Sequence, residues 1–319
     1  MTTHDQMKWF CPVHQHALTD SANALLCNAG CSYPVVNDIP RFVSSENYSA
    51  AFGSQWKKYR LTQLDSYTGV PISRTRLARC LGDALWSELK DKQVLEAGCG
   101  AGRFTEVLLA KGAVVTSIDL SDAVEANQDN FPQNGRHRIA QADIMGLPFG
   151  QEFDVVLCLG VIQHTPNPER TIQALYKQVK PGGWLIFDHY TYNILYYTKM
   201  APYFRMVMRR LPPERGLVWS EYLVNQLLPI HKRLQNARVL HFLFSRLSPV
   251  LCYYRAYPEL NDQLQHEWAL LDTHDGLTDW YKHFRTCEQI EHALKALGAA
   301  EIECSYGGIG VEARARKPA

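Results

Sequence analysis

The sequence predicts an α/β fold with a doubly wound, mostly parallel sheet, because short apolar strands alternate with helices between residues 93 and 190. Two further observations complete this prediction. A segment with clustered cysteines precedes the alternation, and an aromatic-rich segment without alternation follows it. We therefore divide the chain into an N-terminal module at 1–45, a helical lead-in at 46–92, a core at 93–190 and 283–319, and a helical insertion at 191–282.

The core elements follow from apolar runs and the residues that end them. Strands are predicted at 94–96, 114–118, 153–159 and 184–188, with helices at 103–111 and 171–179. A last helix at 289–297 leads into strands at 301–304 and 311–315. Gly307 and Gly308 form the turn between these two strands, so the chain is expected to end in an antiparallel hairpin. In the lead-in, Phe52, Trp56 and Tyr59 recur at helical spacing.

Composition narrows the class of protein. The 319 residues carry a formal net charge of +1, which argues against a protein that binds nucleic acid with its whole surface. Most of the nine cysteines are scattered, which is typical of a reducing compartment. The N-terminus has no apolar signal region, and no apolar run reaches the roughly 18 residues of a membrane span. We expect a cytoplasmic protein; peripheral membrane contact and oligomeric state stay open.

A glycine-rich turn follows the first strand of the core. The chain reads EAGCGAG from Glu96 to Gly102, and glycines there let the backbone turn tightly and approach a ligand. A dinucleotide-binding fold is the competing interpretation. Its fingerprint needs a third glycine where Arg103 stands, so the turn favours a ligand without a pyrophosphate.

Two carboxylates follow the next strands. Asp119 ends the second strand, 21 positions after Gly98, where a carboxylate can accept hydrogen bonds from both ribose hydroxyls. Asp143 and Ile144 follow the third strand, where a carboxylate and an amide can hold an adenine ring. A packing turn for the glycines and a loop-capping role for Asp143 are the alternatives. The order and spacing of all three features favour an adenosine-bearing cofactor.

These residues carry a resemblance to a known family. The run VLEAGCGAGRFTEVLLAKGAVVTSIDLS, with QADIMGLPF, FDVVLCLGVIQHTPNP and VKPGG after it, resembles class I S-adenosylmethionine-dependent methyltransferases of the small-molecule type. The resemblance covers about 93–190 and 285–315. It implies that residues 161–164 face the methyl group. It also implies cofactor contacts for the following residues: Glu96, Gly98, Gly100 and Gly102 at the methionine end, Asp119 at the ribose, and Asp143 with Ile144 at the adenine.

Candidate catalytic residues lie after the later strands. His164 stands just past the fourth strand, where imidazole can serve as a base near neutral pH; stacking in the loop or holding the cofactor is the alternative. Asp188 and His189 are expected on the same rim, after the next strand. From the insertion, Asp272 and Asp275, with His274 between them, add acid–base groups or metal ligands, or form a solvated turn.

The N-terminal cysteines have the spacing of metal ligands. Cys11 and His14 form one pair and Cys27 and Cys31 a second, which predicts a tetrahedral structural zinc site. His16 is an alternative ligand, and a packed trio of reduced cysteines is the alternative to a metal. The segment resembles the small zinc-ribbon proteins that activate tRNA and translation-factor methyltransferases, although those usually carry cysteine where His14 stands.

Charge in the insertion is segregated. Residues 199–255 hold ten Lys and Arg against two acids, whereas residues 256–280 hold six acids and no Lys or Arg. We interpret the insertion as a lid. Four of its cations are expected to bind a phosphate on the acceptor, or to form a solvated face: Arg209, Arg210, Lys232 and Arg233.

Together these patterns predict methyl transfer to a hydroxyl of a small molecule or glycan. RNA methylation is the second hypothesis, because ribosomal RNA methyltransferases also carry an N-terminal zinc ribbon. A non-catalytic, cofactor-binding subunit is the third.

Overall fold

A computed structural model describes residues 8–44, 55–56, 58–150 and 152–319. Phe52, which the helical spacing of the lead-in included, lies outside these residues. The described strands form two sheets, one of four strands near the N-terminus and one of seven strands in the core.

The N-terminal sheet is antiparallel and follows chain order. Its strands are β1 (Thr19–Ser21), β2 (Ala24–Leu26), β3 (Ser32–Val36) and β4 (Ile39–Pro40). The ring of Trp9 packs against Phe42 and against Phe149 of the core, with centroids 5.6 and 5.7 Å away. Phe42 also donates a backbone hydrogen bond to Gln141. The small sheet therefore shares its hydrophobic core with the large one.

The large sheet is mostly parallel and has the order β10-β11-β9-β8-β5-β6-β7. Its strands are β5 (Gln93–Ala97), β6 (Val114–Asp119), β7 (His137–Gln141), β8 (Phe153–Cys158), β9 (Val179–Tyr190), β10 (Ala300–Gly307) and β11 (Gly310–Arg316). Strands β5 to β9 pair in parallel, and the hairpin β10–β11 adds antiparallel beside β9. The doubly wound fold is confirmed. The strand order reverses at β5, which opens a crevice at its carboxyl end.

Helices cover both faces of the sheet. Val94 and Leu95 are neighbours in β5 but belong to different hydrophobic clusters, because successive side chains in a strand point to opposite faces. The helices around the core are α1 (Asp65–Thr68), α2 (Ile72–Ser87), α3 (Arg103–Ala110), α4 (Ala123–Asn130), α5 (Pro168–Lys177) and α10 (Cys287–Ala296). Leu77 of α2 and Leu108 of α3 pack on one face, and Leu175 of α5 and Leu294 of α10 on the other.

The insertion is helical, as the sequence predicts. It contains a 3₁₀ turn (Ile194–Thr198) and the helices α6 (Ala201–Met208), α7 (Pro213–Leu234), α8 (Arg238–Leu247) and α9 (Asp262–Thr278). Ala269 and Leu270 of α9 pack with Val224 and Leu228 of α7 in a small core of their own. Within the described part of the chain, no helix is long and apolar enough to cross a membrane.

Candidate active site

A cavity of about 520 Å³ opens where the strand order reverses. Its walls include the loops that follow β5, β6, β7 and β8, together with Tyr190 at the end of β9. The insertion closes another side with residues from the 251–253 segment and from α9. The core and the insertion therefore build this cavity together.

The glycine-rich turn forms the floor next to β5. Gly98 has a φ of +79°, and a Cβ there would lie 2.3 Å from Val161 Cγ2. The glycine therefore lets the loop of residues 161–165 pack directly against this turn. Gly98 and Gly100 line the cavity. Gly102 does not line it; it faces Phe131, where a Cβ would come within 2.7 Å of the ring.

Glu96 lies beneath the turn rather than in the cavity. Its side chain is buried, and Oε2 accepts hydrogen bonds from Thr105 Oγ1 at 2.5 Å and from Ser117 Oγ at 3.2 Å. Burial raises the pKa of Glu96 to about 7. Glu96 and Gly102 thus support the turn from outside the cavity lining, and the cofactor contacts expected of them stay a prediction.

Asp119, Asp143 and Ile144 all line the cavity. Asp119 Oδ2 accepts from the backbone of Gly100 at 2.9 Å, so the acid at the end of β6 is tied to the glycine turn. Burial raises the pKa of Asp119 above its usual value. Asp143 Oδ1 accepts from Met145 N at 2.9 Å and caps a 3₁₀ turn. Asp143 therefore caps a loop and borders the cavity at once.

His164 also lines the cavity, and an acid from the insertion lies beside it. Its Nδ1 is 3.1 Å from Tyr281 O and 3.2 Å from Asp279 Oδ2. Asp279 follows α9 directly, is fully buried, and also contacts Arg205 and Lys282. Burial would raise the pKa of Asp279, but the neighbouring basic groups outweigh it and lower the pKa. A buried carboxylate thus lies beside the imidazole, a pairing that no pattern in the sequence indicates.

Asp188 and His189 do not lie on the rim, so their expected position was wrong. Strand β9 continues past them to Tyr190, and both pair with β11 inside the sheet. Asp188 accepts from Gly160 N at 2.6 Å and forms an ion pair with Arg76. Burial lowers the pKa of His189 to about 4. Asp188 does not line the cavity, but it holds Arg76 and Gly160, which do.

The four cations expected to meet a phosphate do not line the cavity either. Arg209 lies over the ring of Trp280, and Lys232 pairs with Asp262 at 2.6 Å. Arg210 and Arg233 are exposed. A count of charges along the chain does not reveal which way a helix turns its side chains, so this expectation is corrected.

Other cations take their place: Arg76, Arg103 and Lys282 line the cavity. Arg103 Nε donates to Ser73 Oγ at 2.9 Å, and its guanidinium lies over the ring of Trp268. Burial lowers the pKa of Arg103 to about 10, which leaves it charged at neutral pH. The position of Arg103 directly after the glycine turn is the sequence feature that could have indicated its place in the cavity wall.

Two of the three insertion residues singled out in the sequence reach the cavity. Asp272 and Asp275 line it, whereas His274 is buried, with Nδ1 3.2 Å from Ser220 Oγ. Asp272 accepts from Gln63 Nε2 at 3.2 Å and from the hydroxyl of Tyr253. Burial raises the pKa of Asp275 to about 7. The acidic part of the insertion therefore faces the cavity.

The N-terminal ligand candidates converge away from the cavity. Three thiols surround His14 Nδ1, with Cys11 Sγ and Cys31 Sγ at 3.5 Å and Cys27 Sγ at 3.7 Å. His16 instead contacts Asn28 Oδ1 at 2.7 Å. Of the two candidate histidines, only His14 points into the thiol cluster.

Comparison with known proteins agrees with this arrangement. Residues 95–187 match the family model described as a methyltransferase domain. Residues 95–187 of this chain therefore resemble a methyltransferase domain. The matched range contains the glycine turn, Asp119, Asp143 and His164, and it ends before the insertion.

Curated relatives cover part of the chain. The ubiquinone biosynthesis O-methyltransferase of Pseudomonas fluorescens (strain Pf0-1) is 33% identical over 128 residues, 39% of this chain and 55% of that protein. The protein of the same name from Pseudomonas entomophila (strain L48) is 36% identical over 104 residues, 31% of this chain and 45% of that protein. The chain thus spans about half the length of the curated relatives it matches.

Solved structures with a similar shape include human N-acetylserotonin methyltransferase in complex with S-adenosylmethionine, at 15% identity and a TM-score of 0.47. That match covers 87% of this chain and 61% of the other. Magnesium protoporphyrin IX methyltransferase from Synechocystis PCC 6803 matches at 14% identity and a TM-score of 0.45, over 85% of this chain and 96% of the other.

Proposed function

We propose that the chain transfers the methyl group of S-adenosylmethionine to a hydroxyl of a small-molecule or glycan acceptor. The observation that carries this proposal is His164 on the cavity wall, with its Nδ1 side held by Tyr281 O and Asp279. A hydroxyl needs a base in order to become a nucleophile, and an oriented imidazole supplies one. Both curated relatives described above are named O-methyltransferases, which favours oxygen as the methylated atom.

The walls of the cavity fit the cofactor. Close packing at Gly98 leaves backbone rather than side chain facing the ligand. Asp119 offers a carboxylate to the ribose hydroxyls, and Ile144 offers an apolar surface to the adenine ring. When bound, S-adenosylmethionine supplies a methyl group made electrophilic by its sulfonium.

The chain's own residues then activate and align the acceptor. An Nδ1–H group of His164 that donates to Tyr281 O or Asp279 makes Nε2 the ring atom that accepts a proton. The acceptor hydroxyl would give its proton to Nε2, and its oxygen could then take up the methyl group that the bound cofactor would supply. The Asp279 carboxylate stabilises the imidazolium that forms. The insertion excludes water from this step.

The charges of the cavity favour a hydroxylated acceptor over a phosphate. The cations Arg103 and Lys282 share the walls with Asp272 and Asp275, so the lining is mixed rather than basic. Sugar hydroxyls both donate and accept hydrogen bonds and therefore suit such walls. We accordingly propose a glycan or a polyhydroxylated small molecule.

Labelled cofactor tests this function. The purified chain and its His164→Ala variant would be incubated with a cell extract and methyl-labelled S-adenosylmethionine, and the products separated by class. We expect label in a small-molecule or glycan fraction with the wild-type chain only. Label in RNA would favour RNA methylation instead, and cofactor binding without any product would favour a non-catalytic subunit.

We further propose that Cys11, His14, Cys27 and Cys31 bind one structural zinc ion. In a tetrahedral site with zinc–sulfur bonds of ~2.3 Å and zinc–nitrogen bonds of ~2.0 Å, sulfur and nitrogen lie about 3.5 Å apart. The distances from the thiols to His14 Nδ1 are 3.5 to 3.7 Å, which supports this geometry.

Elemental analysis tests the zinc proposal. Protein made with zinc supplied should contain about one zinc per chain. Cys31→Ser should lower both the zinc content and the melting temperature, whereas Cys287→Ser, outside the cluster, should leave the zinc content unchanged. Wild-type protein without zinc would contradict the proposal.

A further inference from the structure

Helix α8 exposes an apolar face. None of its ten residues is buried, and Val239, Leu243 and Leu247 are 71%, 55% and 69% exposed. Their spacing of four residues places them on one side of the helix. On the other side, Phe244 packs against His231 of α7, with ring centroids 4.8 Å apart. The helix is therefore held to the insertion by one side and presents apolar side chains with the other.

The 3₁₀ turn before α6 extends this surface. Arg246 of α8 accepts from Met200 N through its carbonyl at 2.8 Å and donates through Nη1 to Leu195 O at 3.2 Å. The turn exposes 82% of Ile194 and 59% of Tyr197. We define the apolar face as Ile194, Leu195, Tyr197, Val239, Leu243 and Leu247.

All the charged side chains in the two segments that carry the apolar face are basic. Residues 194–211 and 236–255 contain seven Lys and Arg and no Asp or Glu, although the whole chain has a net charge of only +1. Arg205 is neutralised by buried Asp279, whereas Arg210 and Arg238 are exposed. Exposed apolar side chains bordered by cations are the composition that binds to the surface of an anionic membrane.

We propose that the apolar face docks the protein on an anionic phospholipid bilayer. Apolar side chains enter the boundary between head groups and acyl chains, and the surrounding cations meet lipid phosphates. The proposal concerns binding and does not depend on the reaction proposed above. Leu251, four residues beyond α8, is 43% exposed and also lines the cavity. Docking by this face therefore brings the cavity close to the membrane.

Vesicle flotation with the full-length chain tests this proposal. The vesicles would consist of phosphatidylcholine alone or with about 30% phosphatidylglycerol, at low and high salt. Leu243→Asp/Leu247→Asp removes the apolar anchors, and Arg210→Gln/Arg238→Gln removes two cations. Tyr306→Asp, at a 64% exposed position outside the insertion, and Lys177→Gln/Lys295→Gln are the matched controls.

We expect the wild-type chain to float with anionic vesicles and much less with neutral ones. Each insertion variant should bind anionic vesicles roughly tenfold or more weakly, and the controls should bind like wild type. Circular dichroism would establish that the variants are folded. Wild-type protein that ignores anionic vesicles, or folded insertion variants that still bind them fully, would overturn the proposal. Loss of self-association in Leu243→Asp/Leu247→Asp, without vesicle binding by wild type, would assign the face to a second copy of the chain instead.

Discussion

The core and the insertion line the same cavity by different means. Beside β5 the core contributes the backbone of the glycine turn, where a Cβ at Gly98 would lie 2.3 Å from Val161 and where Gly100 has a φ of +51°. The insertion contributes side chains, among them Asp272, Asp275 and Lys282. We infer that the side of the cavity next to the glycine turn, the cofactor half, depends on local backbone geometry. The side built by the insertion, the acceptor half, depends on distant residues brought together by packing.

We expect the largest loss of activity where the two regions meet, at His164 of the core and Asp279 near the end of the insertion. His164→Ala should lower kcat by roughly 10²–10⁴-fold, the usual contribution of a general base. Cofactor affinity should stay within about twofold, because the change affects the transferred proton rather than cofactor binding. Turnover and calorimetry would measure the two effects.

Asp279→Asn should lower kcat less than His164→Ala, because the imidazole would remain while its orientation weakens. The exposed His292, changed to Ala, serves as the control. Undiminished turnover by His164→Ala would remove the base from the mechanism.

The backbone character of the cofactor half can be tested with two glycines of similar conformation. Gly98 and Gly182 have φ of +79° and +75°, but only at Gly98 would a Cβ meet another atom, since nothing lies within 4 Å at Gly182. Gly98→Ala should weaken cofactor binding by about 100-fold, because Val161 must move. Gly182→Ala should introduce only the strain of a positive φ and should leave the cofactor affinity unchanged. Equal cofactor affinity in the two variants, measured by calorimetry, would contradict a close-packed turn.

The side-chain character of the acceptor half predicts a smaller effect. Asp272→Asn should raise the acceptor KM about tenfold while cofactor affinity stays unchanged, because one charged hydrogen-bonding group is lost. Asp262→Asn, on the exposed start of the same helix, is the matched control. A weakened cofactor with an unchanged acceptor KM would show that the insertion serves the cofactor instead.

A last prediction concerns folding stability and the support beneath the glycine turn. Burial raises the pKa of Glu96 from 4.5 to about 7, so the folded protein keeps a proton that the unfolded chain has lost between these values. Folding stability contributed by this group therefore falls as pH rises from about 4.5 to about 7 and then levels off. Glu96→Gln removes the titration and should stabilise the protein at pH ~8 by up to about 3 kcal/mol.

Thermal unfolding of Glu96→Gln and wild type at pH ~8 and ~4.5 would measure this difference. At the lower pH the two proteins should be nearly equal in stability. Glu88→Gln, at a 65% exposed position, is the control substitution. A constant difference for Glu96→Gln would mean that Glu96 is ionised in the folded protein.

The wrong predictions concern residues whose positions are set by contacts with segments distant in the chain. Asp188 and His189 look like residues at a strand end because the apolar run stops there, but pairing with β11 extends β9 to Tyr190. Arg209 and Lys232 look like phosphate ligands by charge, yet Trp280 and Asp262 hold them elsewhere. Asp279 carries no sequence signal of its own, because its role exists only where His164 lies beside it.

The doubly wound core, the glycine turn and the positions of Asp119 and Asp143 after their strands could all be predicted from the sequence alone. Each of these features depends on residues close together in the chain, through the alternation of apolar residues, a positive φ or a position at a strand end. The three-dimensional structure was needed to show that Asp272 lines the cavity, that Asp279 lies beside His164, and that α8 exposes its apolar side chains. These outcomes depend on packing between segments far apart in the chain, and short-range sequence patterns carry no record of such contacts.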